Sequence, residues 1–234
     1  MEDFFKILFY SSLSGIAVLI GGFLGTKKIP NKVRAFILTF GSGILLSILA
    51  YSLMHEAYKN SGPVLTSFSF LFGGFFFFEV ERLLEKMFSS GTGIILGTAL
   101  DDLPEALSMG IGFATESGTL GMVLAVSIFL HNIPEGISSS NELISEGHVS
   151  PKTAILLAFG IAVLNPISAL TGYYLLHGLD QAIIGLIMAF SGGSILFMTG
   201  TDMIPKAQKI GHKSANFGLL FGFLTAFLIS RIFR

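Results

Sequence analysis

The sequence lacks several residue types, and each absence excludes a class of protein or site. It contains no cysteine, which excludes disulfides and thiolate metal sites. Charged residues make up only 12% of its 234 residues, whereas soluble globular domains usually carry about 25%. No cluster of lysine and arginine suggests a surface for nucleic acid, so we expect no nucleic-acid partner. The shortage of charge argues against a soluble protein.

Long apolar segments are abundant instead. Hydrophobic residues form 52% of the chain, and the mean hydropathy is +0.76. A membrane-spanning helix needs about 20 mostly apolar residues, and eight segments meet this requirement. They cover approximately residues 4–25, 33–57, 63–88, 91–115, 118–143, 151–177, 180–205 and 211–233. We therefore predict an all-α membrane protein with eight transmembrane helices in a single domain, residues 1–234.

The basic residues predict an orientation for these helices. Ten of the 14 lysine and arginine residues fall on one side if the eight helices alternate in direction. These ten are Lys27, Lys28, Lys32, Arg34, Arg82, Lys86, Lys152, Lys206, Lys209 and Lys213. Cytoplasmic loops of membrane proteins are enriched in basic residues. We therefore expect the ten on the cytoplasmic side and both termini outside, in the plasma (inner) membrane if the source is a prokaryote.

Three carboxylates stand near the centre of the fourth predicted helix. An acidic residue at such a position costs about 2.5–3.5 kcal/mol on insertion scales. Asp101 and Glu105 are four residues apart and share one helical face, while Asp102 and Glu105 share a neighbouring face. Pro104 lies between them and disrupts the backbone hydrogen bonds, which frees a carbonyl oxygen to line a polar path. This pattern predicts a helix broken by proline at a functional site.

The fifth predicted helix repeats the device. His131, Asn132 and Glu135 surround Pro134 in the same relative positions, and both helices share the core Leu-x-x-(Leu/Ile)-Pro-Glu. Successive membrane helices are antiparallel, so the two motifs can face each other and form two adjacent cation sites that share both glutamates. Asn165 of the sixth helix can complete the second site.

These residue types favour a divalent metal ion. Imidazole with carboxylate suits zinc, iron and manganese, and carboxylate with amide oxygen suits harder ions. The candidate ligands are Asp101, Asp102, Glu105, His131, Asn132, Glu135 and Asn165. Simple interhelical hydrogen bonding is the alternative for single polar residues, but it fits four carboxylates and a histidine poorly. A proton relay without metal is a stronger alternative, because buried carboxylates serve that role in pumps.

The segment Leu130–Gly136, which reads Leu-His-Asn-Ile-Pro-Glu-Gly, resembles the ZIP (Zrt/Irt-like) divalent-metal transporters. Their fourth helix typically reads His-Asn-x-Pro-Glu-Gly and their fifth His-x-x-Pro-Glu. The likeness extends more loosely to Asn165-Pro166 and to the end of the seventh helix, Thr201–Pro205. It implies a ZIP-like bundle, a binuclear metal site at the membrane midplane and uptake toward the cytoplasm by an elevator-like movement. It also implies a homodimer.

Two departures from that pattern bear on the metal. Asp101 and Asp102 stand where the fourth helix of the family usually has His-Asn, and Asn165 stands where the sixth usually has a carboxylate. An oxygen ligand replaces an imidazole, so the site should be harder than a zinc-selective one. We expect a shift towards Mn or Fe(II), or looser selectivity.

We therefore expect a transporter, not an enzyme, whose substrate is Zn, Mn, Fe or Cd and whose partner is the lipid bilayer, without an organic cofactor. Two alternatives stay open. One is an intramembrane enzyme in which Glu105 or Glu135 acts as a base, and the other is a homologue that binds metal without transporting it. Asp202, Glu142 and Glu146 lie near the inner ends of their helices and form either an exit route or ordinary solvated helix ends.

Overall fold

The computed structural model describes residues 2–88, 90–115, 118–176, 178–211 and 213–233. Every regular element in these ranges is helical, which confirms the predicted all-α class. The longer helices are α1 (Glu2–Gly25), α2 (Asn31–Ile48), α3 (Met54–Met87), α4 (Ser90–Phe113), α5 (Thr119–Ser145), α6 (Pro151–Leu176), α7 (Gln181–Met198), α8 (Ile204–Ile210) and α9 (Phe217–Ile232). Two π-helical turns, Leu49–Leu53 and Thr199–Met203, join α2 to α3 and α7 to α8. Residues 177 and 212 of the predicted spans lie outside the described ranges.

Within the ranges that the structure describes, six helical segments are long and apolar enough to cross a membrane. The segment Asn31–Leu84 contains 54 residues, which would measure about 80 Å as one straight helix, far more than the hydrocarbon thickness of roughly 30 Å. Its helical geometry is interrupted at Gly62, where φ is 70° and ψ is 173°. The predicted fourth helix is absent from the six because it carries three carboxylates. An integral membrane protein is thus supported, and the count of eight spans stays a prediction.

The outer surface of the bundle is apolar. Large side chains on α3 and α6 are more than half exposed, for example Phe68 at 70% and Leu156 at 68%. Exposed apolar faces of this extent are unusual on soluble monomers. They suit contact with lipid tails.

The helices pack in two groups. In the first, α1 and α4 each pack against α5 and α6. In the second, α3 packs against α7, and α2 packs against α8 and α9. Small residues permit close approach within each group: a Cβ at Gly136 of α5 would collide with the Val18 carbonyl of α1, and one at Gly193 of α7 with the Phe70 carbonyl of α3. The main contacts between groups are those of α2 with α5 and of α4 with α7.

The helices α4 and α5 run through their prolines without an interruption of the helix. Since proline has no amide hydrogen, the carbonyls of Leu100 and Leu130 still lose the bond they would receive from Pro104 and Pro134. The prediction that the prolines break these helices is therefore not confirmed. Each proline only removes the amide hydrogen that would bond to one of these carbonyls.

Polar contacts link the two groups at one end of the bundle. Arg34 at the start of α2 donates a hydrogen bond to Asn141 Oδ1 near the end of α5. Lys206 of α8 lies 2.9 Å from Glu142 of α5. This end also holds the α1–α2 connection with Lys27 and Lys28 and the start of α6 with Lys152, and it is called the basic end below.

Candidate metal centre

Three ionisable side chains meet between α4 and α5. His131 Nε2 lies 3.5 Å from Glu105 Oε1 and 3.6 Å from Glu135 Oε2. The three residues are only 2%, 2% and 9% exposed. Helical periodicity puts His131 and Glu135 on one face of α5, and the antiparallel pairing with α4 brings Glu105 against them. The sequence prediction that the two motifs face each other is thus seen for these three residues.

The spacing around His131 Nε2 is close to that of ligands sharing a metal ion. Bonds of about 2.0–2.2 Å to nitrogen and oxygen ligands place two tetrahedral ligands roughly 3.3–3.6 Å apart. Within the described residues, however, no three His, Asp or Glu side chains are already arranged as a complete set for a metal ion. The cluster has ligands of the right type and pairwise spacing, and small side-chain movements are needed to close around an ion.

A cavity of about 440 Å³ leads from this cluster to the basic end. Its inner part is lined by Glu105, His131 and Glu135, and its outer part by Glu142 and Lys206. Asp101 is half-buried on the wall of the same cavity. The wall of the cavity that α5 forms is polar, and the cavity leads from the cluster towards the basic end.

The opposite side of the cluster is closed by apolar side chains. Glu105 borders a space too small for a water molecule. The apolar residues around that space are Leu45, Ile48, Leu53, Leu124, Ile128 and Ile195. All six are at most 3% exposed. The cavity thus reaches the cluster from the basic end, and these apolar side chains cover Glu105 on the opposite side.

The remaining predicted ligands form a separate hydrogen-bonded network. Asn165 Nδ2 donates to Asp102 Oδ2 at 2.5 Å, and Asn132 Nδ2 donates to Asp102 Oδ1 at 3.4 Å. Asn132 Nδ2 also lies 3.2 Å from both the carbonyl and the hydroxyl oxygen of Ser14 in α1. Asp102, Asn132 and Asn165 are at most 2% exposed. The network joins α1, α4, α5 and α6 through one carboxylate.

Two contributors to the site were missed by the sequence analysis. Ser14 is one of three serines close together in α1, and nothing in a single sequence distinguishes it from Ser11 and Ser12. Gly41 of α2 lies beside the cluster, where a Cβ would come within 3.1 Å of His131 Nδ1 and 3.0 Å of Pro134 Cβ. The absence of a side chain at Gly41 leaves room for the imidazole, a role that only the packing of α2 against α5 reveals.

The seven predicted ligands thus divide three ways. Three form the cluster, three form the Asp102 network, and Asp101 lies on the cavity wall. Four buried carboxylate and amide oxygens of these candidate ligands accept no hydrogen bond from any described residue. They are Glu105 Oε2, Glu135 Oε2, Asn132 Oδ1 and Asn165 Oδ1. Buried acceptors without partners are rare and costly, so their presence at this site suits a cation ligand.

Comparison with known proteins bears directly on this arrangement. The sequence model of the ZIP zinc transporter family matches residues 84–230. The chain belongs to the ZIP family. This ZIP protein is 29% identical to the zinc transporter ZupT of Escherichia coli over an alignment that covers 92% of each chain. It is also 32% identical to the zinc transporter GufA of Myxococcus xanthus over 136 residues, which are 58% of this chain and 53% of GufA. The family resemblance and the prediction of metal transport are confirmed.

Proposed function

We propose that this ZIP protein carries divalent metal ions across the membrane by binding them at Glu105, His131 and Glu135. The observation that carries the proposal is a buried cluster of two carboxylates and an imidazole at the inner end of a cavity open to one side. Asp101 on the cavity wall supplies a further carboxylate within the route. The names of ZupT and GufA support zinc as one substrate.

The charge at the cluster supports a cation. Within the described residues, His131 is the basic side chain close to Glu105 and Glu135, and an imidazole carries a charge only when protonated; neither carboxylate pairs with a lysine or arginine. A buried carboxylate that is not compensated is strongly destabilising. A divalent ion bound between the two carboxylates would remove this cost, which gives the cluster a physical reason to bind one.

Eight membrane crossings and a cytoplasmic basic end complete the proposal. Ser61 bonds to the Ala182 carbonyl at the start of α7, while Arg34 lies at the basic end. Glu81 and Leu84 line the cavity near Lys206, so the chain crosses the bundle twice between Asn31 and Met87. With α4 as a further span, the count is eight. The excess of basic residues supports a cytoplasmic location of the basic end, and the uptake that the family resemblance implies would release the ion at this end.

The predicted second metal position at Asp102, Asn132 and Asn165 requires a rearrangement. Both amide groups present their nitrogen atoms to Asp102, and an amide nitrogen is a donor that does not ligate metal. The amides must turn their oxygens towards an ion before it can bind there. We therefore propose one metal position in this conformation and a second after the amides rotate.

Transport fits the geometry better than the alternative of an intramembrane enzyme. The cluster lies at the end of a route to one side and behind an apolar seal towards the other, an arrangement that suits alternating access. A homodimer in the plasma membrane is also proposed, as the family resemblance implies. Chemical cross-linking of the protein in membranes would test the dimer.

Metal flux into sealed proteoliposomes tests the function. The wild type should carry Zn²⁺ or Mn²⁺ down an imposed gradient, reported by a dye trapped inside. The double variant Glu105→Gln/Glu135→Gln should lower flux to that of empty liposomes, because it removes both carboxylates and changes little in volume. Glu79→Gln is the matched control, since Glu79 is 44% exposed and pairs with Arg82. Full flux through the double variant would disprove the assignment of the site.

A further inference from the structure

Lys206 lies in the outer part of the cavity. Lys206 Nζ lies 2.8 Å from Asp202 Oδ1 and 2.9 Å from Glu142 Oε2. Its side chain is 33% exposed, and those of Glu142 and Asp202 are 23% and 36% exposed. The ammonium thus sits between two carboxylates that come from different helix groups, with partial access to solvent.

Lys206 is exceptional among the described side chains that line this cavity. It is the one lysine or arginine in that set, which includes six carboxylates. These are Glu81, Asp101, Glu105, Glu135, Glu142 and Asp202. A route lined by carboxylates attracts cations but also retains them, and Lys206 is placed where retention would delay exit.

The position of Glu142 on α5 connects it to the metal cluster. It follows Glu135 by seven residues, which is two helical turns or about 10 Å along the same face. Ser138 and Ser139 lie between them and also line the cavity. An ion that leaves Glu135 towards the basic end therefore reaches Glu142 and, opposite it, Asp202.

We propose that Lys206 is a tethered counter-cation that promotes release of the metal ion at the basic end. Its ammonium occupies the carboxylates of Glu142 and Asp202 at the high effective concentration of an attached group. A divalent ion can pass by displacing the ammonium, and the returning ammonium then prevents the ion from staying. Without Lys206 the two carboxylates would hold the ion, since its attraction to them is twice that of a single charge. The inference rests on the proposed transport function.

The experiment compares the wild type with Lys206→Met, which keeps much of the chain length and removes the charge. In proteoliposomes the variant should show a lower maximal flux, by about two- to fivefold if the effect matches that of partly exposed ion pairs, and a lower half-saturating metal concentration. Lys206→Arg should behave as the wild type. Lys209→Met, an exposed neighbour on α8, is the matched control and should also leave flux unchanged.

A second measurement does not depend on flux. After equilibrium dialysis against Zn²⁺, purified Lys206→Met should retain one more ion per chain than the wild type. The triple variant Lys206→Met/Glu142→Gln/Asp202→Asn should return to the wild-type number and recover the maximal flux. A purely structural ion pair would not produce the additional bound ion.

The outcomes separate cleanly. Unchanged or raised flux in Lys206→Met, no additional ion, or a triple variant as slow as the single one would each overturn the proposal. If Lys206→Met does not fold, Glu142→Gln/Asp202→Asn provides the test, because the uncompensated ammonium should then slow flux, and wild-type flux would refute the idea. If the wild type moves no metal, the proposed transport function is wrong. The number of ions bound per chain in the wild type and in Lys206→Met would still test the role of Lys206.

Discussion

Replacing Asn165 with leucine should destabilise the protein measurably. Asn165 is fully buried in α6, and its amide donates to Asp102 Oδ2 at 2.5 Å. Leucine has the same number of side-chain heavy atoms and the same branching at Cγ but no donor, so the substitution removes the shorter of the two hydrogen bonds from asparagine amides to Asp102. The remaining one comes from Asn132 at 3.4 Å.

The expected size follows from the charge of the acceptor. A hydrogen bond to a charged group contributes about 1.5–3 kcal/mol to stability. In a chain of this length each kcal/mol shifts the midpoint of thermal unfolding by roughly 2–4 °C. The loss should therefore lower the midpoint by about 3–12 °C.

The assay is thermal unfolding of the purified protein in detergent, followed by circular dichroism because the chain contains no tryptophan. Ser168→Ala on the same helix is the control, and its midpoint should change little. The double variant Asp102→Asn/Asn165→Leu should recover part of the loss, since the buried carboxylate is then gone. An Asn165→Leu protein as stable as Ser168→Ala would refute the view that this hydrogen bond holds the network.

Three further predictions follow from the same site. Asp101→His should shift transport preference from Mn²⁺ towards Zn²⁺, because an imidazole is a softer ligand than a carboxylate; unchanged preference in a competition assay would contradict the harder-site hypothesis. Metal analysis of the wild type should give one ion per chain, because the asparagine amides present their nitrogen atoms to Asp102. Two ions per chain at saturation would contradict this and would support the predicted binuclear site with the amides rotated. Gly41→Val should lower metal affinity about tenfold or more, because the added side chain displaces His131. Gly160→Val is the control and should leave the affinity unchanged, since a Cβ there would meet nothing within 4 Å. Equal affinities of the two variants in a metal titration would exclude a role for Gly41.

The cluster of Glu105, His131 and Glu135 could be predicted in large part from local features of the sequence. His131 and Glu135 share a face through helical periodicity alone, and the repeated motif predicted that Glu105 would face them. The composition and the length of the apolar segments were sufficient for the helical membrane class. The pairing of His131 with Glu135 depends on residues four positions apart, the facing of Glu105 depends on the repeat of the motif in successive antiparallel helices, and the membrane class depends on averages over the chain.

The division of the seven candidate ligands depended on the tertiary structure. Asn165 reaches Asp102 across 63 positions, and Asn132 reaches Ser14 across 118. Which side chain donates to which depends on the depth and rotation of helices that are distant in sequence. Residue type alone therefore presented Asp102 as an equal of Glu105, although the two lie in different hydrogen-bonding environments.

The direction of the cavity and the position of Lys206 also depend on contacts between helices that are distant in sequence. In the sequence, Lys206 is one of ten basic residues that orient the protein, and Glu142 is one carboxylate near a helix end. Only the packing of the α7–α8 segment near the end of α5 places the ammonium between Glu142 and Asp202. The sequence by itself determined a helical membrane protein with a repeated carboxylate and histidine motif in two successive helices, because periodicity and hydropathy are local. The tertiary structure decided which residues form that cluster and which side it opens to, because those depend on contacts between distant helices.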